Sequence, residues 1–171
     1  MKLYKSFILL LFMLISGCSN YNSMKLAENI NLNKYMGKWY EAARLPNSFQ
    51  KGCSCSTANY KITNKNYINV INQCIKNGVI KTSTAKAWRV NKHDNSKLKV
   101  RFFWPFTGNY WILYTSPNYK YAVVGEPSRK YLWFLSRTKT VDKKSFNLMK
   151  QVALSQGYNL SKIIIAYNND C

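Results

Sequence analysis

From Ser56 onward the chain falls into short runs of alternating apolar and polar residues, each closed by turn-forming residues. "STANYKIT" places Ala58, Tyr60 and Ile62 on one face and Thr57, Asn59 and Lys61 on the other. "NKN" then turns the chain, and "YINVINQC" alternates again with Ile68, Val70 and Asn72 together. Two alternating runs around a short polar turn predict a β-hairpin. "VIKTSTAKAWRV" predicts a further strand, and the polar stretch from Asn91 to Ser96 a turn. "KLKVRFFW" sets Leu98, Val100 and Phe102 against Lys97, Lys99 and Arg101. After a break at Pro105 to Asn109, strands follow at "YWILYT", "YAVVGEP" and "YLWFLSRT", separated by "SPNYK" and "SRK". Regular short strands joined by tight turns predict an antiparallel up-and-down meander.

The period changes once. Asp142 is a suitable N-cap, Phe146, Met149, Val152 and Ala153 recur at helical spacing, and Gly157 is a stop signal. One amphipathic helix after about eight strands, followed by a last strand at "KIIIAY", must pack on the outside of the sheet. A meander of that size is long enough to close, which removes unpaired edges. The predicted class is therefore all-β: an eight-stranded antiparallel up-and-down barrel with one C-terminal α-helix packed outside. Such a barrel either fills with side chains or leaves room for one small ligand. The inward positions Tyr60, Asn72, Phe102, Tyr110 and Trp133 mix polar tips with apolar bodies, and alternation alone leaves both outcomes open.

The N-terminal segment follows a different pattern. Lys2 and Lys5 precede an apolar run at Phe7 to Ile15. At about ten residues it is too short to span a bilayer core of ~30 Å and has the length of a signal-peptide core. "LISGC" ends it and resembles the lipobox of bacterial lipoproteins, which makes Cys18 the acylated residue of the mature chain. Residue 19 is Ser rather than Asp, which in that resemblance implies sorting to the outer membrane. The expected organisation is a signal peptide over 1–17, a lipidated tether over 18–26 and one barrel domain over 27–171.

Composition changes the picture in two ways. The formal charge of +20 admits nucleic acid, anionic lipid or a merely solvated basic surface as partners. The lysines are scattered singly and an export signal precedes them, so nucleic acid is excluded; a solvated basic surface is the leading reading and a preference for anionic membrane the alternative. Cysteine usage agrees with export: Cys53, Cys55, Cys74 and Cys171 remain beyond Cys18, an even set with three connectivities. No metal site is expected, because His93, the only histidine, lies in a turn. No cofactor is expected either. An enzyme is disfavoured, since six carboxylates (Glu28, Glu41, Asp94, Glu126, Asp142 and Asp170) and one histidine assemble no nucleophile–base pair. The one chemical route left is a free thiol at Cys74.

"YMGKWYEAARLPNSFQKG", "ANYKIT", "YAVVGEP" and "YLWFLSRT" together resemble the bacterial outer-membrane lipocalins and their animal relatives of the apolipoprotein D type. Gly37-Lys38-Trp39 is similar to the G-x-W of the first lipocalin signature and Arg137 to the arginine of the third. The second signature is represented only by Thr115-Ser116-Pro117. The resemblance implies that Gly37, Trp39 and Arg137 are structural, with Trp39 across the barrel floor and Arg137 over its ring. It implies ligand contacts at Tyr35, Tyr60, Asn72, Phe102, Tyr110 and Trp133, and a first large loop carrying Arg44 and Phe49. It also implies a Cys55–Cys171 disulfide, leaving Cys53–Cys74, with Cys55–Cys74 as the competing pairing. The implied function is storage or transport of fatty acids or lysophospholipids, with envelope maintenance under stress as the setting. The implied location is the outer membrane, anchored through Cys18 and facing either side. A homodimer is implied as well, although no interface is marked in the sequence. The competing reading is a solid barrel whose basic exterior binds anionic envelope components.

Overall fold

A computed structural model describes residues 23–64, 67–166, 168 and 171. The predicted signal peptide and Cys18 lie outside the described residues. The elements run in the order α1 (Leu32–Tyr35), β1 (Gly37–Arg44), β2 (Ser54–Ile62), β3 (Ile68–Lys76), β4 (Val79–Asn91), β5 (Asp94–Arg101), β6 (Gly108–Thr115), β7 (Tyr121–Gly125), β8 (Leu132–Ser136), α2 (Lys143–Ser155) and β9 (Ile164–Ile165). Each strand pairs antiparallel with the next, β8 pairs with β1 and β1 with β2, so the sheet closes into an eight-stranded barrel. The two-residue β9 adds to β1 at Ala43 and Arg44.

Closure divides the apolar residues between two layers. Trp39, Tyr60, Val70, Ala87, Leu98, Ile112, Val124 and Leu135 point into the lumen and form one core. Ala43, Val123 and Phe134 point outward with Leu113 and are covered by Met149, Ala153 and Tyr158 of α2 and the segment after it. Asp142 caps α2 by accepting from the Ser145 amide (2.9 Å) and also accepts from the Tyr121 hydroxyl (2.9 Å), which ties the cap to β7. These bonds, the Ser145 ones first, hold its carboxyl down to about 2. Tyr158 crosses so close to Gly125 that a Cβ there would lie 2.0 Å from the phenol oxygen. That hydroxyl accepts from the Glu126 amide (2.9 Å), so glycine is required for the helix-to-barrel seam.

The floor of the barrel depends on one cation and one indole. Asn31 caps α1 by accepting from the Lys34 amide (3.2 Å), and the chain then turns into β1 at Gly37, whose φ of +88° favours glycine. Trp39 is completely buried and donates its indole N–H to the Tyr35 carbonyl (2.8 Å). The Arg137 guanidinium stacks 3.8 Å above the Trp39 ring centroid. It donates to the carbonyls of Lys34 (2.8 Å) and Met36 (2.7 Å), left without helical partners at the end of α1, and to that of Lys38 (2.8 Å) in β1. A partly desolvated guanidinium on an indole contributes about 0.5–2 kcal/mol, and its hydrogen bonds to the carbonyls add to that.

Two disulfides hold the other end. Cys53–Cys74 joins the segment before β2 to β3, and Cys55–Cys171 joins the C-terminal residue to β2, each with Cα atoms 5.5 Å apart. The Cys55–Cys74 pairing is thereby excluded, and so is a free Cys74 thiol for catalysis.

Trp39→Ala is expected to lower unfolding stability by about 3–5 kcal/mol, the usual cost of removing a large buried ring. Urea denaturation checks it, and an unchanged midpoint contradicts the floor assignment.

Candidate functional site

Chain direction defines the two ends of the barrel. Because β1 starts at the α1 floor, the mouth is formed by the segment between β1 and β2, the β3–β4 turn, the β5–β6 loop and the β7–β8 loop. The lumen between floor and mouth is the candidate site.

Immediately above Trp39 lies a layer of three tyrosines. Tyr35 from α1, Tyr60 from β2 and Tyr110 from β6 meet through their hydroxyls: Tyr35 to Tyr110 is 2.7 Å, and Tyr110 donates to Tyr60 at 3.0 Å. Burial raises the phenol of Tyr60 to about 12 and those of Tyr35 and Tyr110 well above their ordinary value. The three therefore remain neutral hydrogen-bonding groups at any physiological pH. Their rings supply apolar surface and their hydroxyls satisfy one another, so they form a dry shelf.

The next layer is polar, and a β-bulge creates it. Glu41 pairs with Leu135, a lumen residue, and on a regular strand Ala43 would be the next to face inward. The register instead shifts between Glu41 and Ala43, so that Arg44 pairs with Trp133 and faces the lumen while Ala43 faces α2. Arg44 is thus the last residue of β1 rather than part of the first loop, contrary to the sequence expectation. Its guanidinium forms a buried ion pair with Glu41. Gln50 reaches in from the loop, donates to the other Glu41 oxygen (2.6 Å) and accepts from the Trp133 indole N–H (2.9 Å). Arg44 also donates to the carbonyls of Gln50 and Cys53, both at 3.3 Å. The first loop is consequently latched over one side of the mouth.

Three buried polar atoms in the upper barrel have no hydrogen-bond partner: Arg44 Nε, Ser56 Oγ and Asn72 Oδ1. Asn72 pairs with Ala58 and shares the lumen face of Val70, and Ser56 lies two residues before Ala58 on the same face. Leaving such a group unpaired costs about 1–3 kcal/mol, so a ligand with complementary donors or acceptors gains from meeting them. On the neighbouring strand Ser83 pairs with Asn72 across β3 and β4, and both it and Lys81 are exposed although they face the lumen. The upper lumen is therefore open there. Another surface depression, of about 320 Å³, lies on the outer wall between the β6–β7 turn and α2 and has no connection to this layer.

Of the residues the sequence singled out, Tyr35, Tyr60 and Tyr110 meet in the shelf and Asn72 faces the polar layer. Trp133 sits at the mouth, stacked at 6.1 Å on Tyr131. Phe102 does not reach the lumen floor: it lies just past the end of β5 and is exposed on the rim. Sequence reasoning missed Glu41, Gln50 and Ser56. The alternation around Ser56 could have placed it inward, whereas a bulge leaves no mark in "YEAAR".

Comparisons with known proteins fit this geometry. A family model described as a lipocalin-like domain matches residues 30–168. The chain is 38% identical over 162 residues to the outer membrane lipoprotein Blc of Vibrio cholerae, covering 92% of this chain and 95% of that one. It is 36% identical over 149 residues to temperature-induced lipocalin-1 of Arabidopsis thaliana, covering 82% and 80%. Apolipoprotein D of Macaca fascicularis is 29% identical over 157 residues, covering 87% and 82%. Among solved structures, insecticyanin from the tobacco hornworm Manduca sexta superposes with a TM-score of 0.68 at 23% identity, covering 84% and 83%.

Raised phenol values fix the sign of one pH effect. A group held neutral by the fold stabilises it fully below the unfolded value of 10.0 and loses that contribution as pH rises toward about 12. Stability measured by urea should fall across this window, and less steeply in Tyr60→Phe. Equal slopes in the two proteins contradict the buried shelf.

Proposed function

Because the chain belongs to the lipocalin family, we propose that it is a lipid-binding protein which buries an acyl chain in the upper barrel. The observation that carries this reading is the lumen itself: a closed floor, a shelf of neutral tyrosines and a polar layer with unpaired Arg44 Nε, Ser56 Oγ and Asn72 Oδ1. An amphipathic ligand suits that order. Its tail points down onto the tyrosine rings, and its polar head meets Arg44, Asn72 and the exposed Lys81 near the mouth. Fatty acids and lysophospholipids are single-chain lipids with heads of that kind.

Reversible burial, not catalysis, is the mechanism proposed. Glu41 is committed to Arg44 and Gln50, and the four cysteines beyond Cys18 are paired, so among the described residues the lumen offers binding groups and no activated nucleophile. Entry is from the side left open at Ser83 and Lys81, and release of Glu41 and Trp133 by Gln50 widens the mouth on the other side. Acylation of Cys18, outer-membrane anchoring and a role in envelope maintenance under stress complete the proposal. Similarity to outer membrane lipoproteins Blc and the "LISGC" motif support this setting.

Native mass spectrometry of protein purified from a bacterial host, with lipid extraction, tests the reading. Co-purified fatty acid or lysophospholipid is expected. Consistently empty protein overturns it in favour of a filled barrel acting through its basic surface. Ser83→Trp, which puts a large ring into the open part of the lumen, should weaken binding of a fluorescent fatty acid at least about tenfold without lowering the melting temperature.

A further inference from the structure

The mouth is surrounded by apolar side chains that remain largely exposed among the described residues. In the β5–β6 loop Phe103 is 66%, Trp104 81% and Phe106 68% exposed, and Phe49 of the first loop is 62% exposed. Phe103 and Phe106 pack edge-to-face at 5.6 Å, so the loop presents one aromatic ridge rather than scattered rings. Val79 and Ile80, beside the β3–β4 turn at the same end, are 54% and 66% exposed. Contiguous exposed apolar surface of this kind marks an interaction site.

The charge distribution says what that site meets. Exposed Lys51, Lys76, Lys81 and Lys130 surround the mouth. Among the described residues the two carboxylates nearest it, Glu41 and Glu126, are buried and hydrogen-bonded. Asp94 and Asp142 lie at the floor end, and Glu28 leads into α1. An aromatic ridge inside a ring of lysines, with no exposed carboxylate side chain at the mouth among the described residues, is complementary to an anionic bilayer surface, where aromatic rings enter the acyl boundary and lysines meet the headgroups.

The chain's own path is compatible with that contact. The Lys25 amide donates to the Gln156 side chain (2.8 Å), and the Gln156 carbonyl accepts from Arg129 (2.5 Å) in the β7–β8 loop at the mouth. The described chain therefore begins beside the mouth and runs down the outer wall to the floor. Lys25 is seven positions after Cys18, a reach of at most ~25 Å. A bilayer that holds an anchor at Cys18 is therefore within reach of the mouth.

We propose that the rim of the barrel docks on an anionic lipid bilayer by inserting the Phe103–Trp104–Phe106 ridge, so that lipid passes between membrane and lumen without crossing water. The passage rests on the lipid-binding reading above; the docking rests on the rim alone.

The test is made on the full chain reconstituted into vesicles of phosphatidylcholine alone or mixed with phosphatidylglycerol, with bromine on the acyl chains. The share of tryptophan emission that Trp104→Phe removes belongs to Trp104. That share should be quenched by the brominated lipid, at least about twofold more with phosphatidylglycerol at low salt. It should remain quenched in Cys18→Ser, and that arm separates docking from the anchor. Unquenched Trp104 overturns the proposal, and equal quenching in the neutral vesicles overturns its anionic part. Emission from Trp104 that shifts with protein concentration in the absence of lipid assigns the ridge to a second copy and also overturns it. Lipid-free protein in the mass spectrometric test, with Trp104 still quenched, removes the passage and leaves the docking.

Discussion

The stacking of Arg137 on Trp39 is the contact on which the rest of the barrel depends. It joins the end of β8 to the start of β1 and, through the carbonyls of Lys34, Met36 and Lys38, fastens α1 across the bottom. Without that contact the carbonyls of Lys34, Met36 and Lys38 lose their shared donor and one face of the Trp39 ring loses its cover. With it there is one floor and one mouth. Every later distinction along the lumen follows from this asymmetry.

Above the floor, polarity rises in steps. The tyrosine shelf satisfies its own hydroxyls and is effectively apolar toward anything that rests on it. The polar layer is different because the bulge after Glu41 brings two charged groups three residues apart onto one face. A buried ion pair gives little net stability, since desolvating both charges offsets most of their attraction. Here it holds Gln50 and, through Gln50, the first loop and Trp133. The disulfide from Cys53 to Cys74 fixes the far end of that loop, so its free movement is confined to the part that contains Phe49 and Gln50.

Much of this fold was legible because alternation is a direct consequence of strand geometry. Ala58 and Tyr60, Leu98 and Val100, and the helical set Met149 and Ala153 face where their periods place them. Gly37, Trp39 and Arg137 came from resemblance to a family motif; spacing in the chain would not have paired residues 98 positions apart. The polar layer was the least visible part. A bulge shifts the phase of a strand by one residue, and "YEAAR" reads equally well with Ala43 or Arg44 inward. Phe102 failed for a related reason: alternation continues through "KVRFFW" in the sequence, but the strand ends at Arg101 and the pattern loses its meaning there. The aromatics that follow are exposed because they belong to a loop, and a hydropathy pattern does not separate a loop ridge from a strand.

The central claim is that a lumen with a fixed floor takes an acyl chain from its mouth. Affinity across a series of saturated fatty acids of increasing length measures it most directly, by displacement of a fluorescent fatty acid. Each added methylene should strengthen binding by about 0.8 kcal/mol until the tail reaches the tyrosine shelf, after which the gain stops. Affinity that does not change with chain length would contradict the account.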